Sequence, residues 1–119
     1  MTARFAAMSS AEYRVWVCNQ WTEAQFQTEI ITVADQLGWM YYHTHNSKHS
    51  PSGWPDLVLL HPVRRKLIIW ELKSRKGKAT LAQIAWINGL RSVGINAAVK
   101  WPVDWADESI QRELRGVPA

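Results

Sequence analysis

Two acidic residues that lie 15 positions apart, Asp56 and Glu71, are the residues best suited to chemistry. Asp56 follows Pro55 at the start of the apolar run DLVLL, and Glu71 directly follows the apolar run LIIW. If the two runs pair as neighbouring strands, Asp56 and Glu71 lie side by side where the sheet leaves the core. Two partly buried carboxylates repel each other, and a hard divalent cation such as Mg²⁺ relieves that repulsion.

Lys73 adds a cation to this pair, because side chains two positions apart on a strand share a face. Its ammonium could orient or deprotonate an attacking water, or stabilise negative charge that develops on a phosphate. A divalent metal ion polarises a phosphoryl oxygen and acidifies water. The combination therefore suggests metal-dependent phosphoryl chemistry. Taken singly, Glu71 and Lys73 could instead form an exposed ion pair, and Pro-Asp is common in turns.

A helix predicted between Thr22 and Gly38 supplies a third carboxylate. Thr22 and Gln25 form a capping-box pattern, and Gly38 is a typical helix stop. Apolar residues recur at helical spacing between them, at Phe26, Ile30, Val33 and Leu37. Glu29 is expected at the margin of this buried stripe, where it would be a further metal ligand if the helix packs across the site. The alternative is a boundary residue whose methylenes cover apolar surface.

The remaining pattern predicts the elements that must position these groups. Strands are predicted at residues 39–45, 56–60, 66–73 and 95–101, and a second helix at residues 80–92. Asp104 is expected to cap a last helix that ends before Gly116, whereas residues 1–20 could form a short helix or a strand. The two central strands are continuous apolar runs, which indicates burial on both faces. The predicted fold is a single α/β domain with a mixed sheet and flanking helices.

Length and composition narrow the class of protein. A chain of 119 residues fits one domain with a real core, and 47% hydrophobic with 20% charged residues is typical of a globular protein. No apolar run approaches the ~20 residues of a membrane helix, and the N-terminus lacks the apolar segment of a secretory signal. The single Cys18 fits a reducing compartment. We therefore expect an intracellular protein with no membrane partner.

The net charge of +4 is concentrated in one segment. Residues 64–78 contain seven cations and a single acid, Glu71, a distribution expected of a polyanion-binding surface or of a solvated hairpin and loop. The best candidates for contacts with phosphates are Arg75, Lys76 and Lys78, in the loop after the Glu71 strand. His43 and Lys48, before Asp56, are further candidates for contacts with phosphates, and the alternative is that they are simply solvated. Zinc held by His43, His45 and His49 is a weaker alternative, because no cysteine and no settled spacing accompany them.

The eight tryptophans divide into two groups. Trp39, Trp70 and Trp86 are expected in the core. Trp54 and Trp105 could be exposed, and Trp54 either packs on the core or stacks on an unpaired base.

The pattern resembles the PD-(D/E)xK nuclease superfamily, with Pro55-Asp56 and Glu71-Leu72-Lys73 as its two halves. More narrowly, GWPDLVLL, WELKSRKGKAT and LAQIAWINGLRSVG are similar to the virus-type replication-repair nuclease (VRR-NUC) group. The resemblance covers about residues 22–103 and implies an α-β-β-β-α-β nuclease core that hydrolyses DNA phosphodiesters with Mg²⁺ or Mn²⁺. It places an N-terminal extension at residues 1–21 and the nuclease domain at residues 22–116.

The same resemblance implies roles for individual residues. It assigns metal ligation to the carboxylates of Glu29, Asp56 and Glu71 and to the backbone carbonyl of Leu72. Catalysis is assigned to a set that comprises Asp56, Glu71, Lys73 and Gln83. Gln83 has a competing interpretation, because Thr80 and Gln83 also form a capping-box pattern that needs no substrate.

Stand-alone viral members of this group resemble homodimeric Holliday junction resolvases. The implied partner is therefore branched DNA, the implied state a homodimer, and the implied setting viral or phage replication and repair in the host cytoplasm. A restriction-type or flap-type nuclease is an alternative, since a fold does not fix its substrate. So is a catalytically silent DNA-binding module with the same fold, although a pure binder gains nothing from carboxylates that face phosphate.

Overall fold

Four strands form one mixed sheet in the computed structural model, which describes residues 7–44 and 52–116. In chain order they are β1 (Met40–His43), β2 (Leu57–His61), β3 (Lys66–Leu72) and β4 (Asn96–Lys100). Their spatial order is the same, with antiparallel β1–β2 and β2–β3 pairs and a parallel β3–β4 pair. The predicted mixed sheet is confirmed.

Helices flank this sheet on both faces. Those within the described ranges are α1 (Ser10–Cys18), α2 (Glu23–Gln36), α3 (Leu81–Ser92), α4 (Pro102–Ala106) and α5 (Ser109–Arg115). Capping boxes begin α1, α2 and α3, and the two predicted for α2 and α3 are confirmed. No helix in the described part of the chain is long and apolar enough to cross a membrane.

The two faces of the sheet pack against different helices. Strand side chains alternate, so one set, which includes Leu57, Leu59 and Trp70, packs against α2 and α5. The other set includes Ile69 and packs against α3 through Ile87. Glu71 lies between Trp70 and Leu72 in sequence and therefore projects on the α3 face.

The C-terminal segment differs from the single helix predicted there. Pro102 starts α4, and the chain then breaks before α5 at Glu108, which has a left-handed φ of 67°. Asp104 is not an N-cap, because it lies inside α4 and its carboxylate accepts the Trp101 N–H at 2.8 Å. Proline fits the first turn of a helix, where its missing N–H is not needed.

Two of the three tryptophans predicted in the core are buried there. Trp39 and Trp70 are 3% and 0% exposed, as predicted for core residues. Trp86 was also expected in the core, but it is 36% exposed, because the face of α3 that packs on the sheet carries Ile87 and Leu90. Trp54 is half-buried and packs against the Ile69 cluster.

Candidate active site

The register of β2 and β3 brings Asp56 and Glu71 together. Leu57 pairs with Trp70, so Asp56 and Glu71 occupy neighbouring positions just beyond the last ladder pair. An Asp56 carboxylate oxygen, Oδ2, accepts the backbone N–H of Leu72 at 2.9 Å. Asp56 is thereby fixed to the strand that carries Glu71, and its charge acts on the Glu71 carboxylate.

Glu71 and Lys73 form a buried pair. Lys73 Nζ lies 3.2 Å from Glu71 Oε2, and the two residues are only 8% and 1% exposed. A pair this buried is not the solvated strand-end ion pair that the tripeptide alone allowed. Desolvating both groups costs free energy that their attraction offsets only partly, which is typical of functional sites.

Gln83 both caps α3 and contacts Glu71. Its Oε1 accepts the Thr80 N–H at 2.9 Å, and the Thr80 hydroxyl accepts the Gln83 N–H at 3.2 Å, which caps α3. Its Nε2 donates to Glu71 Oε2 at 3.0 Å. The amide oxygen and the amide nitrogen bind different partners, so the cap and the contact with Glu71 do not compete.

The environment of Glu71 disfavours its charged form. Burial, and then the neighbouring Asp56 charge, raise the pKa of Glu71 to about 7, although Lys73 acts in the opposite direction. Glu71 Oε1 is buried, and none of the described residues hydrogen-bonds to it. A buried carboxylate oxygen without a donor beside a second carboxylate fits a hard cation, which takes oxygen ligands. Mg²⁺ in particular often uses one or two protein carboxylates and keeps several waters.

Glu29 does not join this site. It is exposed on α2, where it lines a surface depression with Trp21 and Thr28, and α2 covers the sheet face opposite Glu71. Among the described residues, no three His, Cys, Asp or Glu side chains are grouped closely enough to hold a metal ion. The expectations that Glu29 sits at the buried margin and converges with Asp56 and Glu71 are therefore wrong. Helical spacing places Glu29 beside the apolar stripe but does not show which way its carboxylate turns.

Two of the predicted DNA contacts border the site. Arg75 and Lys76 line a groove of about 630 Å³ between the loop that follows Lys73 and the start of α2. Glu23 lines the same groove, but the sequence did not suggest it as a site residue. The available signal was its place at the start of the predicted helix, where it is the acid in the first turn of α2. Lys78 is exposed.

Of the proposed DNA-binding and zinc-binding residues before Asp56, the structure describes only His43. His43 ends β1 directly opposite Leu57 and is half-buried. Outside the described residues lie Lys48, His45 and His49. The zinc alternative needs both of these histidines and therefore also falls outside the described part of the chain.

Two backbone supports of the site had no signature in the sequence. Thr44 donates from its N–H to the Asp56 carbonyl at 2.8 Å and from its hydroxyl to the Pro55 carbonyl at 2.9 Å. The Lys100 carbonyl accepts the Lys73 N–H at 3.0 Å. The bond from the Thr44 N–H and the bond to the Lys100 carbonyl are main-chain contacts, and residue types therefore gave no indication of them.

Comparisons with known proteins identify a matching family and structures with a similar fold. A family profile for the VRR-NUC domain matches residues 3–100. One solved structure, described as a VRR_NUC domain, is similar with a TM-score of 0.64 and 25% identity over 76% of this chain and 97% of its own. A second, a VRR_NUC domain protein, has a TM-score of 0.55 and 23% identity over 79% of this chain and 90% of its own.

The Holliday junction resolvase Hjc of Archaeoglobus fulgidus is more distant, with a TM-score of 0.48 and 22% identity over 65% of this chain and 66% of its own. No curated protein sequence matches significantly.

Proposed function

This chain belongs to the VRR-NUC family of nucleases, and we propose that it is a metal-dependent DNA endonuclease that uses Mg²⁺ or Mn²⁺. One observation carries the proposal. Asp56 and Glu71 adjoin at the end of β2 and β3, and Lys73 and Gln83 bind one oxygen of Glu71. The other oxygen is buried and has no donor among residues 7–44 and 52–116. Most buried polar atoms are hydrogen-bonded, so an unsatisfied carboxylate oxygen beside a second carboxylate favours a cation-binding role.

The two carboxylates would hold the cation, with the Leu72 carbonyl as a proposed further ligand. When bound, a divalent ion supplies Lewis-acid polarisation of the scissile phosphate and lowers the pKa of water. Gln83 and Lys73 both bind Glu71 Oε2, which turns Oε1 away from them and leaves it for the ion. For Lys73 we propose that its ammonium orients the attacking water and stabilises charge on the phosphate.

Contacts with the DNA backbone are proposed for Arg75 and Lys76, since their groove adjoins the loop that follows Lys73. Lys78, His43 and Lys48 remain weaker candidates. Cations that neutralise phosphates release counterions, so binding through this surface should fall steeply with salt.

Branched DNA as the preferred substrate, a homodimeric state and a viral intracellular setting are finer proposals. They are supported by the resemblance of the sequence to stand-alone members of the VRR-NUC group. The domain boundary near residue 22 is likewise a proposal.

The test is cleavage of linear, flap, nicked and four-way DNA with Mg²⁺ and with EDTA. Wild-type protein should cleave at least one branched substrate with Mg²⁺ and none with EDTA. K73M should abolish cleavage. The matched control is K66M, because Lys66 begins the same strand at its other end and is exposed.

Cleavage by K73M at the wild-type rate would refute the assigned chemistry. DNA binding by wild-type protein without cleavage on any substrate would favour the silent binding module.

A further inference from the structure

The chain just before Asp56 packs against the beginning of α3. Gly53 has a φ of 90°, and a Cβ added there would lie 2.6 Å from the carbonyl carbon of Ala82. This close approach of two backbones requires glycine. Ala82 immediately precedes Gln83, the residue that binds Glu71.

Two tryptophans also contribute to the contact between this loop and α3. The rings of Trp54 and Trp86 meet edge to face, with centroids 5.0 Å apart. Trp86 Nε1 also donates to the Ser52 carbonyl at 3.1 Å. Because Trp86 is 36% exposed and lies outside the core clusters, its contacts serve this loop more than the core.

Asp56 follows this segment after a single residue, Pro55, which is fully buried. On its other side Asp56 is tied to Thr44 and to the Leu72 N–H. Its position therefore depends on three supports, of which α3 provides one.

We propose that Trp86 is a positioning residue, which sets the place of Asp56 relative to Glu71 by clamping residues 52–55 onto α3. One helix then locates both carboxylates. Gln83 orients Glu71 through a direct hydrogen bond, and Trp86, one helical turn later, locates Asp56 through the loop. This inference rests on the proposed function, since it concerns the spacing of the two metal-binding groups.

The first measurement does not depend on catalysis. The Leu72 amide donates to the Asp56 carboxylate at 2.9 Å, so its NMR shift and its hydrogen-exchange rate report on where Asp56 lies. W86L removes the ring and should accelerate exchange at Leu72 about tenfold or more. W86F keeps an aromatic ring but loses the bond to Ser52 and part of the ring area. It should accelerate exchange by a smaller factor, about fivefold, close to the value of one neutral hydrogen bond.

The second measurement is function. W86L should weaken Mn²⁺ binding about tenfold and lower kcat by a similar factor, with little change in KM for DNA. W86F should show a smaller loss of the same kind, as expected for partial rescue by a conservative variant. The matched control is L90A, which loosens α3 from the Ile69 cluster near the other end of the helix. It should lower Tm without changing Mn²⁺ affinity, kcat or Leu72 exchange.

The proposal is overturned if W86L and W86F keep wild-type Leu72 exchange and Mn²⁺ affinity, or if L90A shows equal losses. If W86L does not fold, W86F alone decides. Wild-type protein that neither binds Mn²⁺ nor cleaves DNA would refute the proposed function, while exchange at Leu72 would still test the clamp.

Discussion

Metal binding should weaken steeply as the pH falls through about 7, because a proton and the cation compete for Glu71. Burial and Asp56 raise the pKa of Glu71 to about 7. Glu71 is therefore mostly ionised at about pH 8 and almost entirely protonated at about pH 5.5. With one competing proton, the apparent Kd for Mg²⁺ should be about 30-fold higher at about pH 5.5 than at about pH 8. An ordinary exposed glutamate would change affinity little over this range.

The same raised pKa predicts how the free energy of unfolding of the metal-free protein changes with pH. A carboxyl that binds its proton more tightly in the folded state stabilises the fold at pH below about 4.5, and this stabilisation is lost as pH rises through about 7. The shift corresponds to roughly 3 kcal/mol at most. With EDTA present, the Tm should therefore be lower at about pH 8 than at about pH 5.5, and Mg²⁺ should restore it mainly at the higher pH.

Isothermal titration calorimetry with Mg²⁺ at the two pH values, and Tm measured with EDTA and with Mg²⁺, test both statements. E71Q is the control for the Tm measurement, because it removes the titrating group and should abolish this contribution to the pH dependence of Tm with EDTA. Because it also removes a proposed ligand, it should bind Mg²⁺ weakly at both pH values. A Kd that changes less than about threefold between the two pH values would refute the reasoning, since simple competition at Glu71 requires about 30-fold.

Three further predictions concern the surroundings of the site. Q83E keeps the capping oxygen but places a second negative charge against Glu71, so kcat should fall at least about tenfold; Q25E, the same change in the equivalent capping box of α2, should cleave normally, and equal loss in both would contradict the role of Gln83. E29Q should cleave DNA like wild-type protein, because Glu29 is exposed on α2, which covers the sheet face opposite Glu71. An inactive E29Q would instead show that Glu29 belongs to the metal site. R75A with K76A should reduce the slope of log Kd against log salt by up to about 2, measured by fluorescence anisotropy, and an unchanged slope would place the DNA elsewhere.

Local patterns were read correctly from the sequence, because they involve neighbours in the chain. The boxes Thr22–Gln25 and Thr80–Gln83 join residues three apart and begin α2 and α3 as predicted. Hydrophobic runs identified β2 and β3, and strand alternation put Glu71 and Lys73 on one face. By contrast, the break at Glu108 was missed, since nothing in its neighbouring residues marks the left-handed turn there.

The sequence by itself determined the residue types of the site, their spacing along two strands and the family to which the chain belongs. Tertiary structure alone decided that Glu29 lies away from the site, that Gln83 both caps α3 and binds Glu71, and that Trp86 holds the loop before Asp56. The physical reason is that helical and strand periodicities depend on neighbouring residues. The face of the sheet that a helix covers, and the rotation of that helix, depend on packing between distant segments.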